Sequence, residues 1–197
     1  MNYLGIEDEA FIRKNVPMTK KEIRILSLAK ARIKPDAVVY DIGAGTGSLS
    51  VEAARLAPQG TVYALERNPE GIALIRANAA NFMVSNVVAK EAEAPAGIDM
   101  LPDADTVLIG GSGSRLEEIL DAVTPKLKPE GRIVLNCITV QTLMQGIDYM
   151  RQHADVYEYE AIQVQVSRLK SIGSYDMAKA ENPIYIVTCW KKESERI

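Results

Sequence analysis

Apolar and polar positions follow two periods along this chain, and each change of period marks an element. Residues 37–40, Ala-Val-Val-Tyr, form a short β-branched run of the kind that makes a fully buried parallel strand. Residues 49–56 then space their apolar positions as a helix does. The change recurs downstream. Strands are predicted at 61–65, 87–89, 105–109 and 132–136. Asn68-Pro69 opens a helix through Ile72, Ile75 and Phe82. Leu116, Ile119, Leu120 and Val123 mark another, and residues 140–150 a third. Five β-α units are counted in this way. The turn Leu127-Lys128-Pro129-Glu130-Gly131 leads into the fifth strand.

The two ends of the chain read differently. Pro17 breaks any helix, and Thr19 can N-cap the next one, with Glu22 completing a capping box. That helix is predicted at about 20–33, with Ile23, Leu26, Leu28 and Ala29 on its buried face. Near the other end, residues 156–166 alternate and 184–190 are almost continuously apolar. No helix separates them. A loop over 167–183 is expected, so the two strands can pair antiparallel at one edge of a parallel sheet.

The candidate chemistry sits where the first strand meets its helix. Residues 41–47 read Asp-Ile-Gly-Ala-Gly-Thr-Gly, so the glycines fall at a strand-to-helix turn. There the backbone can reach positive φ, a ligand can approach closely, and the N–H groups of the following helix point at it. The spacing Gly43-x-Gly45-x-Gly47 is tighter than the dinucleotide fingerprint, which favours S-adenosylmethionine over NAD. Glu66 closes the second strand, about 20 residues on, where an acid hydrogen-bonds both ribose hydroxyls. Asp41, Gly43, Gly45, Gly47 and Glu66 thus form a cofactor site, with the loop over 91–95 beside the adenine. Five parallel strands and a terminal hairpin make an α/β fold of the class I S-adenosylmethionine-dependent methyltransferase type. This Rossmann-like fold has a seven-stranded, mostly parallel sheet. One domain is expected over 1–197: a cover segment and helix over 1–35, cofactor-binding units over 36–153 and a hairpin arm over 154–197.

Composition narrows the reading without redirecting it. The chain of 197 residues, 47% hydrophobic and 25% charged, can bury one sizeable core. No apolar run approaches the roughly 18 residues of a membrane span. The N-terminus carries acids where a signal peptide would be basic, so a cytoplasmic protein is expected. Cys137 and Cys189 lie inside apolar strands and read as buried thiols. The single histidine, His153, reads as a helix-end residue, and no metal centre or Ser-His-Asp triad is expected. A net charge of −3 argues against a broad nucleic-acid-binding face.

Longer stretches carry a resemblance. They are Ile6-Glu7-Asp8-Glu9-Ala10-Phe11-Ile12-Arg13 with Val16-Pro17-Met18-Thr19-Lys20, the turn over 41–47, and Glu66-Arg67-Asn68-Pro69-Glu70. Gly110-Gly111-Ser112-Gly113 and Leu127-Lys128-Pro129-x-Gly131-Arg132 add to them. Over nearly its whole length the chain resembles the decarboxylating cobalt-precorrin C-15 methyltransferases of cobalamin biosynthesis. The resemblance implies that Thr19, Gly43, Ala44, Gly45, Thr46, Gly47, Glu66 and Ala94 contact S-adenosylmethionine. It also implies a homotetramer and a cobalt-precorrin tetrapyrrole substrate, methylated at carbon 15 with loss of carbon dioxide from the ring-C acetate. Glu66 stands where relatives often have Asp, and Ala44 where some have Cys.

Methyltransferases that act on base amines carry Asn/Asp-Pro-Pro-aromatic after the fourth strand. Gly-Gly-Ser-Gly here leaves room for a large flat substrate, although a tight turn capped by Ser112 accounts for it equally well. A sulfonium is already an activated methyl donor, so no protein nucleophile is required and no catalytic residue is assigned. A substrate with many carboxylates needs cations at the pocket mouth. Arg13, Lys14, Lys20, Arg24, Arg115, Arg168 and Lys170 are the candidates, Arg168 first, with Ser112 a further substrate-side residue. Two alternatives stay open: a class I methyltransferase for a tRNA base or small molecule, and a non-catalytic cofactor-binding module.

Overall fold

The computed structural model describes residues 4–192. The first three residues of the segment expected over 1–35, and the last five of the arm expected over 154–197, lie outside the described residues. In chain order the helices are α1 (Lys21–Ala31), α2 (Ser48–Leu56), α3 (Pro69–Asn81), α4 (Leu116–Val123) and α5 (Val140–Gln152). The strands are β1 (Val38–Ile42), β2 (Thr61–Glu66), β3 (Val87–Glu91), β4 (Ala104–Ile109), β5 (Leu127–Cys137), β6 (Tyr157–Val164), β7 (Ser167–Ile172), β8 (Tyr175–Ala180) and β9 (Ile184–Lys191).

Seven strands form one sheet in the order β3-β2-β1-β4-β5-β9-β6. Neighbours from β3 through β5 are parallel, while β9 is antiparallel to both β5 and β6. The order reverses between β1 and β4, and in such sheets ligands bind beyond the strand ends at that point. Alternation along the strands sends Tyr40, Ile42, Val107 and Ile133 to the face covered by α4 and α5. Val39, Val62, Leu108 and Val134 go to the face covered by α1 and α2. The expected fold and the terminal antiparallel pair are both present, and His153 is the C-cap of α5.

Several expectations are corrected. First, Thr19 does not cap α1. Lys20 is the N-cap and no side chain caps the helix, because the Thr19 carbonyl is turned inward to accept from Arg24 and the Glu22 carboxylate is taken by Arg168. Second, the buried stripe of α1 is Ile23, Arg24, Ser27, Leu28 and Ala31, while Ala29 is exposed. Third, β3 runs to β4 without a helix, so five helix-followed units are not present. Fourth, the loop over 167–183 contains the hairpin β7-β8. All twelve of its strand residues are exposed, the apolar Leu169, Ile172, Tyr175 and Met177 included, so within the chain it is ordered by its own ladder around Gly173-Ser174 and not by burial. The Pro129 turn proves to be a bulge inside β5, since Ala104 pairs with Leu127 and Thr106 with Arg132.

Arg24 was expected at the pocket mouth and is instead fully buried. Its Nε donates to Glu52 Oε1 at 2.8 Å and its Nη1 to Asp8 Oδ1 at 2.8 Å and the Thr19 carbonyl at 2.6 Å. Nη2 donates to the Ile6 carbonyl, and Phe11 lies against the guanidinium with 4.7 Å from Cζ to the ring centroid. A planar fork with five donors suits such a set of acceptors, and lysine would not. Arg24→Leu takes from the buried Glu52 its ion-pair partner and leaves Asp8 only the looser pair with Lys20 at 3.6 Å. We expect unfolding free energy to fall by about 3–5 kcal/mol, read as a lower urea midpoint at unchanged slope. A fall under about 1 kcal/mol would mean that the pair is effectively solvated.

Candidate active site

The site grows from the end of β1. Gly43 N–H and Ala44 N–H both donate to the Leu65 carbonyl, at 2.9 and 3.1 Å, which draws the turn across the end of β2. Two glycines there are needed for close approach. Gly43 has φ +69°, and a Cβ on it would lie 2.4 Å from the Gly111 carbonyl oxygen. Gly45 has φ +57°, and a Cβ on it would lie 2.9 Å from the Pro17 carbonyl oxygen. Backbone from three separate segments therefore converges with almost no side chain between.

Glu66 is tied into the same turn. Its Oε2 accepts from Gly45 N–H at 2.9 Å and its Oε1 from Asn68 N–H at 2.8 Å. Each carboxylate oxygen keeps a lone-pair site for a further donor. Asp41, fully buried on the adjoining strand, accepts at Oδ2 from the Ser50 hydroxyl, while its Oδ1 has no hydrogen-bond partner. Burial, reinforced by the charge of Glu66, pushes the Asp41 carboxyl up to about 6 against the pull of Ser50.

These groups line a cavity of about 900 Å³. Its near end is formed by residues 16–20, the glycine turn, residues 66–68, residues 92–94 and residues 110–113. Its far end is formed by Ile23, Asn136, Ile138 and Ile184 with Arg168, Lys179, Glu181 and Asn182 from the hairpin segment. Of the residues singled out in the sequence, Thr19, Lys20, Asp41, Gly43, Ala44, Gly45, Glu66, Ala94, Ser112 and Arg168 line this cavity. Thr46 and Gly47 lie behind the wall, Thr46 buried with its hydroxyl unpartnered and Gly47 as the N-cap of α2. Arg13, Lys14, Arg115 and Lys170 are not in the lining, and Lys14 and Arg115 are paired instead with Glu70 and Glu118. Ser112 makes a tight turn, its carbonyl accepting from Arg115 N–H at 2.9 Å, but its side chain does not cap α4.

Sequence reading missed Lys179, Asn182 and Asn136. Asn136 lines the cavity, and its Oδ1 accepts from the Ser27 hydroxyl at 2.8 Å. One amide at the end of an apolar strand, Ile133-Val134-Leu135, was a readable signal. Arg168 bridges Glu22 at 2.7 Å and Glu181 at 2.9 Å, whereas Lys179, its register partner in β8, has no polar partner among the described residues. Burial raises the Cys137 thiol to about 11 and that of Cys189 higher still, so neither is poised as a thiolate.

A family model described as a precorrin methyltransferase domain matches residues 9–192. The chain belongs to that family. A cobalt-precorrin-6B C(15)-methyltransferase (decarboxylating) of Salmonella typhimurium is 36% identical over 190 residues, which is 96% of this chain and 97% of the relative. The solved structure of a precorrin-6y C5,15-methyltransferase from Geobacter metallireducens has a TM-score of 0.90 and 46% identity, covering 95% of this chain and 97% of that one. A SAM-dependent O-methyltransferase from Thermotoga maritima, 18% identical, shares the fold alone, with a TM-score of 0.76 over 94% of this chain and 69% of that one. Among the described residues of this precorrin methyltransferase family member, no helix is long and apolar enough to cross a membrane.

Asp41 makes a pH prediction. Its carboxyl is raised in the folded chain above the ordinary value near 4, so the folded state holds the proton more tightly than the unfolded state. This contribution to stability is complete below about pH 4 and is lost as pH rises through about 6. Asp41→Asn cannot ionise and should exceed the parent in stability at pH 7–8 by up to about 3 kcal/mol. The gap between urea midpoints should narrow steadily from pH 7 to 4. A gap that does not change with pH would refute the assignment.

Proposed function

We propose that this chain is an S-adenosylmethionine-dependent C-methyltransferase acting on carbon 15 of cobalt-precorrin-6B. In the same conversion the ring-C acetate loses carbon dioxide, giving cobalt-precorrin-7 in cobalamin biosynthesis. The observation that carries the reading is Glu66, held by two backbone N–H groups against a turn where Gly43 and Gly45 leave no room for a Cβ. The residues fit the cofactor: both oxygens of Glu66 can still accept ribose hydroxyls, and Ala92 and Ala94 offer a flat apolar wall for the adenine. S-adenosylmethionine supplies an activated methyl group, so the chain needs no nucleophile of its own.

What the residues do is align, exclude water and hold charge. Gly110, Gly111 and Gly113 add no side chain to the near end of the cavity, which leaves room beside the glycine turn for a broad ring. Ile23, Ile138 and Ile184 solvate a carboxylate poorly, which favours its loss as carbon dioxide. We assign the remaining carboxylates to Arg168 and Lys179, Lys179 holding one directly and Arg168 by exchange with Glu22 or Glu181; both line the cavity, which supports the assignment. The exposed Leu169, Ile172, Tyr175 and Met177 of the hairpin support assembly with further copies, and we take the protein as a cytoplasmic, single-domain homotetramer. No nucleic acid is assigned as partner.

Three measurements test this reading. Anaerobic incubation with cobalt-precorrin-6B and labelled S-adenosylmethionine should give a methylated product and release carbon dioxide, and methylation without that release would refute the proposed conversion. S-adenosylhomocysteine should stabilise the protein while NAD does not, and Glu66→Ala should weaken its binding about tenfold or more. Preferential NAD binding would end the cofactor assignment. Arg168→Ala and Lys179→Ala should each lower kcat/KM about 30-fold or more with S-adenosylhomocysteine affinity unchanged. Changes below about threefold would return both cations to the solvated surface.

A further inference from the structure

Residues 4–20 run across the outside of the glycine turn and are fastened at two places. At one, Arg24 holds the carbonyls of Ile6 and Thr19. At the other, Asn78, fully buried on α3, engages the chain through its whole amide. Asn78 Nδ2 donates to the Ile12 carbonyl at 2.9 Å and to the Thr46 carbonyl at 2.8 Å, and its Oδ1 accepts from Ile12 N–H at 2.8 Å. None of these three bonds serves α3 itself. All go to the strap or to the turn, so one side chain fixes the distance between them. Phe11 packs beside it on Phe82, with ring centroids 4.8 Å apart. Between the fasteners Arg13, Lys14 and Asn15 are exposed, while Val16, Pro17 and Met18 form cavity wall.

We propose that Asn78 and Arg24 are positioning residues that latch residues 12–19 over the glycine turn, and that this strap sets the rate at which the cofactor enters and leaves. The inference rests on the cofactor proposed above. The Pro17 carbonyl abuts Gly45, so the strap cannot shift without moving the wall that faces the ligand. Thr46 lies in the same turn, and a loosened Asn78 releases turn and strap together.

The test compares Asn78→Ala with Asn86→Ala. Asn86 is also a multiply bonded amide, donating to the carbonyls of Ala54, Ala57 and Gly60 at 3.1, 2.7 and 3.3 Å, but it sits beyond the opposite end of the sheet. Both variants should lose thermal stability. Only Asn78→Ala should raise the Kd of S-adenosylhomocysteine about tenfold or more, chiefly through faster dissociation. Only Asn78→Ala, in the absence of any ligand, should be cut by trypsin after Arg13 and Lys14 about tenfold faster. Equal effects in the two variants, or an unchanged dissociation rate in Asn78→Ala, would make the amide merely structural and overturn the proposal. Failure of the parent to bind S-adenosylhomocysteine would remove the cofactor reading, and the latch would then stand or fall on the trypsin rates.

Discussion

Everything at the cavity depends on backbone meeting backbone at the end of β1. Gly43 lies against Gly111, and Gly45 against the Pro17 carbonyl, at separations that no Cβ permits. Each contact joins segments far apart in sequence, so a short turn fixes the relative placement of β1, the end of β4 and the N-terminal strap. The reversal of strand order between β1 and β4 opens the space, and the glycines allow the chain to stay close around it. Polar groups then take their places because the turn is already set: Glu66 reaches Gly45 N–H, and Asn78 reaches the Thr46 carbonyl.

Much of this was legible in the sequence because period and punctuation agree in the middle of the chain. Asn68-Pro69 opens α3 as expected, with the Asn68 side chain accepting from Glu70 N–H. Residues 37–47 and Glu66 announce the near end of the cavity without reference to anything else. The far end was less visible. Lys179 and Asn182 come to the cavity through a hairpin whose residues are all exposed, so no burial pattern marked it, although Gly173-Ser174 between extended runs was a usable turn signal. Arg24 was misread because a cation near the N-terminus looks solvated until its partners are known. The clue lay in Glu52, an acid between the apolar Val51 and Ala53 of α2, which needs a partner when buried.

Asp41 shows how the site departs from what the fold alone would choose. A fully buried carboxyl with one oxygen unpartnered destabilises the chain near neutral pH, and an amide would sit there more comfortably. Such a group is the kind of local disadvantage that accompanies a binding site, where the missing partner is supplied from outside.

The Arg168 bridge gives the cavity two kinds of boundary. The floor is set by van der Waals contact between backbones, which dissolved ions do not alter. The mouth is tied by a half-exposed guanidinium between Glu22 on α1 and Glu181 beyond β8, and such pairs weaken as the screening length shrinks with added salt. Ionic strength therefore acts on the width of the entrance while leaving the floor intact, and an anionic ligand arriving there competes with the same two carboxylates that hold the door.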